Sequence, residues 1–154
     1  MRVLVDTHIF AWCDQRPEAV SASLMTVSRD LQNEIFVSIA SVWEIAIKRA
    51  SGKLAFAAPI AETVAKLGFE LLPISATHAE HAGGLPRHHG DPFDRLLIAQ
   101  AMLEGLVLRT QDAALGRYGV PRLGLARRAA EPRQPDETRP DGTGGSQPKT
   151  LRPP

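Results

Sequence analysis

The sequence predicts an α/β fold, a three-layer α/β/α sandwich around a mainly parallel sheet of four or five strands. Short aliphatic runs with strand character alternate with longer segments in which apolar residues recur at helical spacing. Strands separated by helical segments indicate right-handed crossovers, which place helices on both faces of a parallel sheet. The 154 residues, 44% of them hydrophobic and only 5% aromatic, suffice for one domain with a sizeable, mostly aliphatic core.

The predicted elements follow one another over residues 1–125. We predict strands over 2–5, 35–38, 69–74 and 106–109, with a short fifth strand over 120–123. We predict helices over 7–14, 21–32, 41–50, 60–67, 75–82, 92–104 and 113–118. The helix over 92–104 has the clearest boundaries, because Asp91 is a favoured N-cap, Pro92 suits the first turn and Gly105 suits a C-terminus.

The composition changes at about residue 126. Residues 126–154 contain six prolines, three glycines and few apolar residues. Such a segment cannot bury enough apolar surface to offset the entropy lost on ordering. We therefore predict one domain over 1–125 and a disordered Pro/Gly-rich tail over 126–154.

The charge of the domain neither requires nor excludes a nucleic-acid partner. Of the 18 Lys and Arg and the 17 Asp and Glu, the tail contains six and four, which leaves 12 basic and 13 acidic side chains in residues 1–125. Domains that bind nucleic acid usually show a basic excess. Only if bound cations neutralised some of the acids would the remaining surface be mildly basic.

Cys13 is the only cysteine, which excludes an intramolecular disulfide and fits a reducing cytoplasm. Its apolar neighbours predict a buried, inert thiol. Asp6 interrupts the first apolar stretch before a secretory signal could form, and no apolar run approaches the roughly 18 residues of a membrane span. We expect a soluble, cytoplasmic protein with no membrane partner.

Four acidic residues share one edge of the predicted sheet. Asp6 and Asp112 follow the first and fourth strands directly. Glu44 and Asp94 are predicted in the first turns of the helices over 41–50 and 92–104, which begin at the same edge. Open α/β folds bind their ligands in the crevice beyond the carboxyl ends of the strands.

Each acid also has a structural explanation, which is the more favoured one when the acid is taken singly. Asp6 and Asp112 are suitable N-caps. Ser41 and Glu44 match a capping box, and Glu44 precedes Lys48 by four residues, the spacing of a helical ion pair. Asp94 suits the first turn of its helix because of the helix dipole. Capping, however, does not require four carboxylates.

Four carboxylates in one crevice would raise one another's pKa values. A divalent cation removes that conflict, and Mg²⁺ or Mn²⁺ prefers such oxygen ligands beside a phosphate group. The chemistry that follows is phosphodiester hydrolysis, in which the metal lowers the pKa of a bound water and stabilises charge on the phosphate.

The motifs that carry these acids resemble those of a known family. They are VLVDTH at 3–8, SIASVWEIAIK at 38–48, DPFDRLLIAQA at 91–101 and TQD at 110–112. In this order and spacing they resemble the motifs of PIN-domain nucleases, and most of all those of VapC-like toxins from type II toxin–antitoxin modules. The resemblance covers residues 1–125 and implies a PIN-like fold.

The resemblance implies a Mg²⁺- or Mn²⁺-dependent endoribonuclease that cuts RNA, forms a homodimer and is neutralised by a cognate antitoxin protein. It places the catalytic, metal-binding acids at Asp6, Glu44, Asp94 and Asp112. It gives supporting roles to the neighbouring Thr7 and Thr110 and to Asp91, for which an N-cap is the simpler interpretation. Lys48 and Arg95 would either contact RNA phosphate or orient the acids.

Two other functions stay open at this point. The chain could be a non-catalytic PIN-like module that binds RNA or protein, or a different metal-dependent phosphohydrolase. The second is weaker, because position 8 is histidine where aspartyl-phosphate phosphatases typically have a second aspartate.

The histidines and tryptophans also have functional alternatives, which we do not favour. His88 and His89 could approach RNA phosphate or metal, His78 and His81 could form a ligand pair, and Trp12 and Trp43 could stack on bases. We interpret His78 and His81 as helix-surface residues and His88 and His89 as parts of a solvated loop. Trp12 and Trp43 are interpreted as core or dimer-interface residues.

Overall fold

The computed structural model describes residues 1–15 and 32–123. Its strands are β1 Arg2–Val5, β2 Glu34–Ser38, β3 Glu70–Leu72, β4 Val107–Arg109 and β5 Arg122–Leu123. Its helices, numbered over the described residues, are α1 Thr7–Gln15, α2 Ile39–Ala50, α3 Ile60–Lys66, α4 Ala76–Gly84 and α5 Pro92–Glu104, with a 3₁₀ helix at Ala113–Tyr118. The tail predicted over 126–154 and almost all of the helix predicted over 21–32 lie outside the described residues.

The five strands form one parallel sheet in the order β3-β2-β1-β4-β5. Val5 at the end of β1 lies between Val37 of β2 and Arg109 of β4. Strands β2 and β3 therefore lie on one side of β1, and β4 and β5 lie on the other side. The strand order reverses between β1 and β4, which is where such sheets form ligand crevices.

The sheet separates two apolar cores. Leu4 packs in one core with Leu97 of α5, whereas the next residue, Val5, packs in the other with Phe10 of α1. Successive strand residues point to opposite faces of a sheet, so helices cover both faces. The predicted α/β/α sandwich with a four- to five-stranded parallel sheet is confirmed.

The two helices that carry site residues begin differently. At α5 the prediction is confirmed: the Asp91 carboxylate accepts from the Phe93 N–H at 2.8 Å, and Gly105 ends the helix with a left-handed φ of 63°. At α2 the predicted capping box of Ser41 and Glu44 is wrong. The helix begins directly after β2 with Ser38 as its N-cap, so Glu44 lies in the second turn.

Side chains tie the carboxyl edge of the sheet to α5. The Ser38 hydroxyl at the end of β2 donates to Oε1 of Gln100 at 2.6 Å. Nε2 of the fully buried Gln100 donates to the Pro73 carbonyl, just after β3, at 3.1 Å. One glutamine therefore fixes α5 against two neighbouring strand ends.

Cys13 on α1 is half-buried, and its thiol donates to the Ile9 carbonyl. Burial raises the pKa of the thiol to about 11, so it stays protonated and unreactive near neutral pH. The prediction of an inert thiol is thereby supported.

None of the helices in the described part of the chain combines the length and the apolar character needed to cross a membrane.

Candidate active site

Three of the four predicted acids line one cleft of about 310 Å³ at the carboxyl edge of the sheet. Asp6 follows β1, Asp112 follows β4 and Asp94 lies in the first turn of α5. His8, Trp12 and Gln111 complete the lining. The parallel register brings the ends of β1 and β4 together, so residues more than one hundred positions apart in sequence share this cleft.

Asp6 is buried and fixed by hydrogen bonds from the first turn of α1 and from the residues that follow β4. Its Oδ1 accepts from the Ile9 N–H at 2.8 Å, which makes it the N-cap of α1, as the structural explanation predicts. The Thr110 hydroxyl and the Gln111 N–H also donate to it. Burial raises the pKa of Asp6, and these bonds counteract the rise by stabilising the charged form.

Asp94 carries the clearest electrostatic signature of the site. Its pKa is raised to about 6, first by burial and then by the negative charges of Asp91, Glu44 and Asp6, while His89 lowers it. The charged form of this carboxyl group is disfavoured by its surroundings. A bound cation would stabilise that form.

Asp112 is the most exposed of the three, with 43% of its side chain accessible. Its Oδ1 accepts from the Ala114 N–H at 2.7 Å and caps the 3₁₀ helix. Its backbone N–H donates to the Thr110 hydroxyl at 3.0 Å. Thr110 therefore links Asp6 and Asp112, and its supporting role in the site stays a prediction.

Glu44 lies beside this cleft rather than in its lining. Its side chain is only 6% exposed, and its carboxylate pairs with the ammonium group of Lys48 one turn later, as the spacing predicts. Its charge nevertheless reaches Asp94 and raises the pKa of that residue. The structure thus brings Glu44 within electrostatic range of Asp94, with the ammonium group of Lys48 already paired to it.

Thr7 has a structural contact in the buried interior. Its hydroxyl donates to the Ser41 hydroxyl at 3.0 Å and joins the start of α1 to α2. Ser41 itself lies inside the first turn of α2, whose N-cap is Ser38.

His89 joins the site, and its assignment to a solvated loop is wrong. Nδ1 lies 3.4 Å from Oδ2 of Asp94, and Nε2 lies 3.3 Å from Oδ2 of Asp112. One possible ligand atom from each of the three residues falls within 4.8 Å of the others. No local pattern marks His89, because its neighbour His88 has the same sequence context but is exposed and packs edge-on against Tyr118.

Two side chains hold the loop over 85–90 that carries His89. The Arg95 guanidinium donates to five backbone carbonyls, those of Ala82, Gly83, Leu85, Pro86 and His89. The Tyr118 hydroxyl accepts from the His89 N–H at 2.8 Å and donates to the Pro86 carbonyl at 2.9 Å. The guanidinium of Arg95 is therefore occupied by the loop, and its influence on the acids is indirect.

The other histidine pair does not form a ligand site. His78 is buried, in contrast to its predicted surface position, because it completes a capping box with Ser75 and lies 3.1 Å from Oε1 of Glu104. Trp43 is 60% exposed and meets Phe93 edge-on, which excludes a core position within this chain.

The donor set of the cleft fits a hard divalent cation. Asp6, Asp94 and Asp112 offer carboxylate oxygens, the ligands that Mg²⁺ and Mn²⁺ prefer. Asp6 and Asp112 each use one oxygen in a helix cap, which leaves acceptor positions for a cation, and burial and neighbouring acids raise the pKa of Asp94 to about 6.

The chain belongs to the PIN-domain family, whose model, described as "PIN domain", matches residues 3–121. Among curated proteins it is 30% identical over 125 residues to Ribonuclease VapC22 of Mycobacterium tuberculosis, covering 78% of this chain and 94% of that protein.

Solved structures share the fold at lower identity. The chain superposes on VapBC2 from Rickettsia felis, bound to a DNA fragment from its promoter, with a TM-score of 0.58 and 18% identity over 82% of this chain and 100% of that one. For a toxin–antitoxin complex from Klebsiella pneumoniae the TM-score is 0.51 and the identity 22%, over 71% and 86% of the two chains.

Proposed function

We propose that this chain is a metal-dependent endoribonuclease toxin, which hydrolyses RNA phosphodiester bonds and is neutralised by a cognate antitoxin. The observation that carries the proposal is the cleft at the β1–β4 switch point, where Asp6, Asp94 and Asp112 converge and the pKa of Asp94 is raised to about 6. The curated relative that the chain matches over most of its length is named a ribonuclease.

In this proposal Asp6, Asp94 and Asp112 hold Mg²⁺ or Mn²⁺. When bound, such an ion generates a nucleophilic hydroxide at neutral pH and stabilises charge on the phosphate. The chain's own contribution is to fix the ligands: Thr110 orients Asp6, and helix caps restrain one oxygen each of Asp6 and Asp112.

Glu44 lies outside the cleft lining and has a conditional role in this proposal. Its carboxylate can join the catalytic acids only if Lys48 releases or shares it, since the two are paired. The Lys48 side chain is 35% exposed, so its ammonium group can then contact an RNA phosphate, the role predicted for it. Arg95 is a weaker candidate for RNA contact because loop carbonyls occupy its guanidinium.

An exposed apolar stripe supports a protein partner. Ile39, Trp43 and Ile47 recur at intervals of four along α2 and are all exposed. Trp43 also lines an adjoining apolar groove of about 310 Å³, together with Phe93 and Leu96 of α5. Surfaces of this kind mark protein interfaces, and we assign this one to the antitoxin or to a second copy of the chain.

The direct test is RNA cleavage by the purified full chain. Cleavage should require Mg²⁺ or Mn²⁺, stop with EDTA and fall by at least about a hundredfold in Asp6→Asn and Asp94→Asn, because each removes a charged ligand. Glu62→Gln is the matched control, since Glu62 is an exposed acid on α3 that does not line the cleft.

Undiminished cleavage by both aspartate variants would contradict the proposal. The absence of both cleavage and carboxylate-dependent Mn²⁺ binding would instead favour the non-catalytic PIN-like module. In cells, induced expression should arrest growth, and co-expression of the antitoxin should relieve the arrest.

A further inference from the structure

His89 is placed between two of the proposed metal ligands without any role in the proposed chemistry. Only 21% of its side chain is exposed, and its two ring nitrogens lie 3.4 Å from Asp94 and 3.3 Å from Asp112. The backbone on either side is fixed by Tyr118 and Arg95, two residues on different elements. The ring is therefore held in the site rather than sampling it from a free loop.

The hydrogen-bond pattern defines which ring nitrogen can act as a donor. The Asp91 N–H donates to Nδ1 of His89 at 3.2 Å. While Nδ1 accepts this bond it is unprotonated, and the neutral ring then carries its hydrogen on Nε2. Oδ2 of Asp94 lies 3.4 Å from the same Nδ1. In that form Nε2 lies 3.3 Å from Oδ2 of Asp112, at ion-pair distance.

Asp112 is the cleft acid that most needs such a partner. Asp6 and Asp94 are largely shielded from solvent, whereas 43% of the Asp112 side chain is exposed. Its Oδ1 is already fixed by the cap to Ala114, which leaves Oδ2 to be oriented. Nε2 of His89 is the ring nitrogen that lies close to this oxygen, at 3.3 Å.

We propose that His89 is a positioning residue that orients Asp112 for metal binding through the contact between its Nε2 and Oδ2 of Asp112. The inference rests on the proposed function, because it concerns the same metal site. It also assigns a purpose to the loop over 85–90: Arg95 and Tyr118 fix the loop, the loop fixes His89, and His89 fixes Asp112. Groups that orient metal ligands typically change metal affinity by 10- to 100-fold.

The competing role for His89 is that of a direct metal ligand. A neutral imidazole can bind a metal only through its unprotonated nitrogen, and Asp91 occupies that nitrogen. Ligation through Nε2 would require the hydrogen to move to Nδ1 and the Asp91 N–H contact to break. The observed geometry therefore favours positioning, and two isosteric variants separate the alternatives.

The test compares His89→Gln with His89→Asn in the full chain. A glutamine amide nitrogen reaches about as far as Nε2 and can still donate to Asp112, whereas an asparagine can accept from Asp91 but is too short to reach Asp112. His88→Asn is the matched control, because it makes the same substitution at the adjacent exposed position. Mn²⁺ affinity is measured by calorimetry, and RNA cleavage is measured on the same samples.

We expect His89→Asn to weaken Mn²⁺ binding about tenfold, with a parallel loss of cleavage, and His89→Gln to restore binding to within about threefold of the unmodified chain. His88→Asn should bind normally. In an Asp112→Asn background, His89→Asn should cause no further loss, because the residue through which it acts is already changed.

Normal Mn²⁺ affinity in His89→Asn would overturn the inference and leave the proposed function intact. Equal impairment of the Gln and Asn variants, with an additive loss in the Asp112→Asn background, would also overturn it, because the imidazole itself would then be required. If the unmodified chain neither bound Mn²⁺ nor cut RNA, the proposed function and the inference would both fail.

Discussion

Asp6 and Asp112 each serve the fold and the cleft at once. One oxygen of Asp6 caps α1, and one oxygen of Asp112 caps the 3₁₀ helix. A carboxylate has two oxygens and about four acceptor positions, so a cap bond leaves capacity for a metal. The two explanations that compete in the sequence are therefore compatible in the structure, and the cap contributes the orientation.

Asp94 should lower stability in the absence of metal. Its pKa in the folded chain is about 6, above the ordinary 3.8, because burial and neighbouring acids disfavour its charge. Below pH 3.8 Asp94 is protonated in both the folded and the unfolded chain, and it imposes no penalty on folding. As the pH rises through 6 the buried carboxyl must ionise, and the folded chain loses stability relative to the unfolded one. We expect Asp94→Asn to raise the free energy of unfolding at pH 7.5 by on the order of 1 to 3 kcal/mol.

The measurement is urea unfolding in EDTA at several pH values. The advantage of Asp94→Asn should shrink as the pH falls through 6 and be absent near pH 4, while the control Glu62→Gln should follow the unmodified chain throughout. A variant that is less stable at pH 7.5 would show that the ionised Asp94 stabilises the fold.

Thr110 should be required for both stability and metal binding. Thr110→Val removes a hydroxyl that donates to Asp6 and accepts from the Asp112 N–H, so we expect a loss of about 1 to 2 kcal/mol in unfolding free energy. Since the hydroxyl lowers the pKa of Asp6, its removal raises that pKa and moves Mn²⁺ binding to higher pH.

Thr110→Ser keeps the hydroxyl and is the matched control. Calorimetric titration with Mn²⁺ across pH should show a normal profile for the serine variant and a shifted one for the valine variant. Coincident profiles would mean that the hydroxyl does not act on Asp6.

At the scale of elements, the loop over 85–90 depends on Arg95. Without the guanidinium, the carbonyls at the end of α4 and in the loop lose their donors. We expect Arg95→Met to increase the rate of trypsin cleavage after Arg87 about tenfold, since cleavage follows local opening of the loop.

Arg49→Met, on the exposed surface of α2, controls for the loss of a trypsin site and a charge elsewhere. An unchanged rate of cleavage at Arg87 in Arg95→Met would show that the loop is held without this residue.

The element boundaries show what the sequence could and could not predict. The limits of α5 were predictable, because Asp91, Pro92 and Gly105 are local signals that act where they stand. The start of α2 was not, because Ser38 and Ser41 are both suitable caps and the choice depends on distant contacts with Gln100 and Thr7. His89 was missed for the same reason: Tyr118, 29 residues away, helps to hold it in the site.

At the scale of the whole molecule, the strand order explains why the acids converge. β1 is central, and β4 returns to its free side, so Asp6 and Asp112 meet at the reversal. Alternation of strands and helices predicts a parallel sheet and a common edge for all four acids. It does not give the strand order, and hence could not predict that Glu44 would lie beside the cleft rather than in its lining, although the spacing did predict its ion pair with Lys48.

The domain boundary is a further prediction at this scale. We expect a chain that ends at residue 125 to unfold within about 1 kcal/mol of the full chain and to cut RNA at the same rate, because the tail composition cannot support a packed core. Denaturant unfolding and cleavage assays of the two chains are the check. A markedly less stable shorter chain would mean that residues 126–154 pack on the domain.

The most direct test of the central claim is calorimetric titration of the full chain with Mn²⁺, alongside Asp6→Asn, Asp94→Asn, Asp112→Asn and the control Glu62→Gln. We predict that the control binds like the unmodified chain and that each aspartate variant binds at least about tenfold more weakly. Mn²⁺ binding of equal strength in all of them, or in none including the unmodified chain, would contradict the claim that these three carboxylates share a divalent ion.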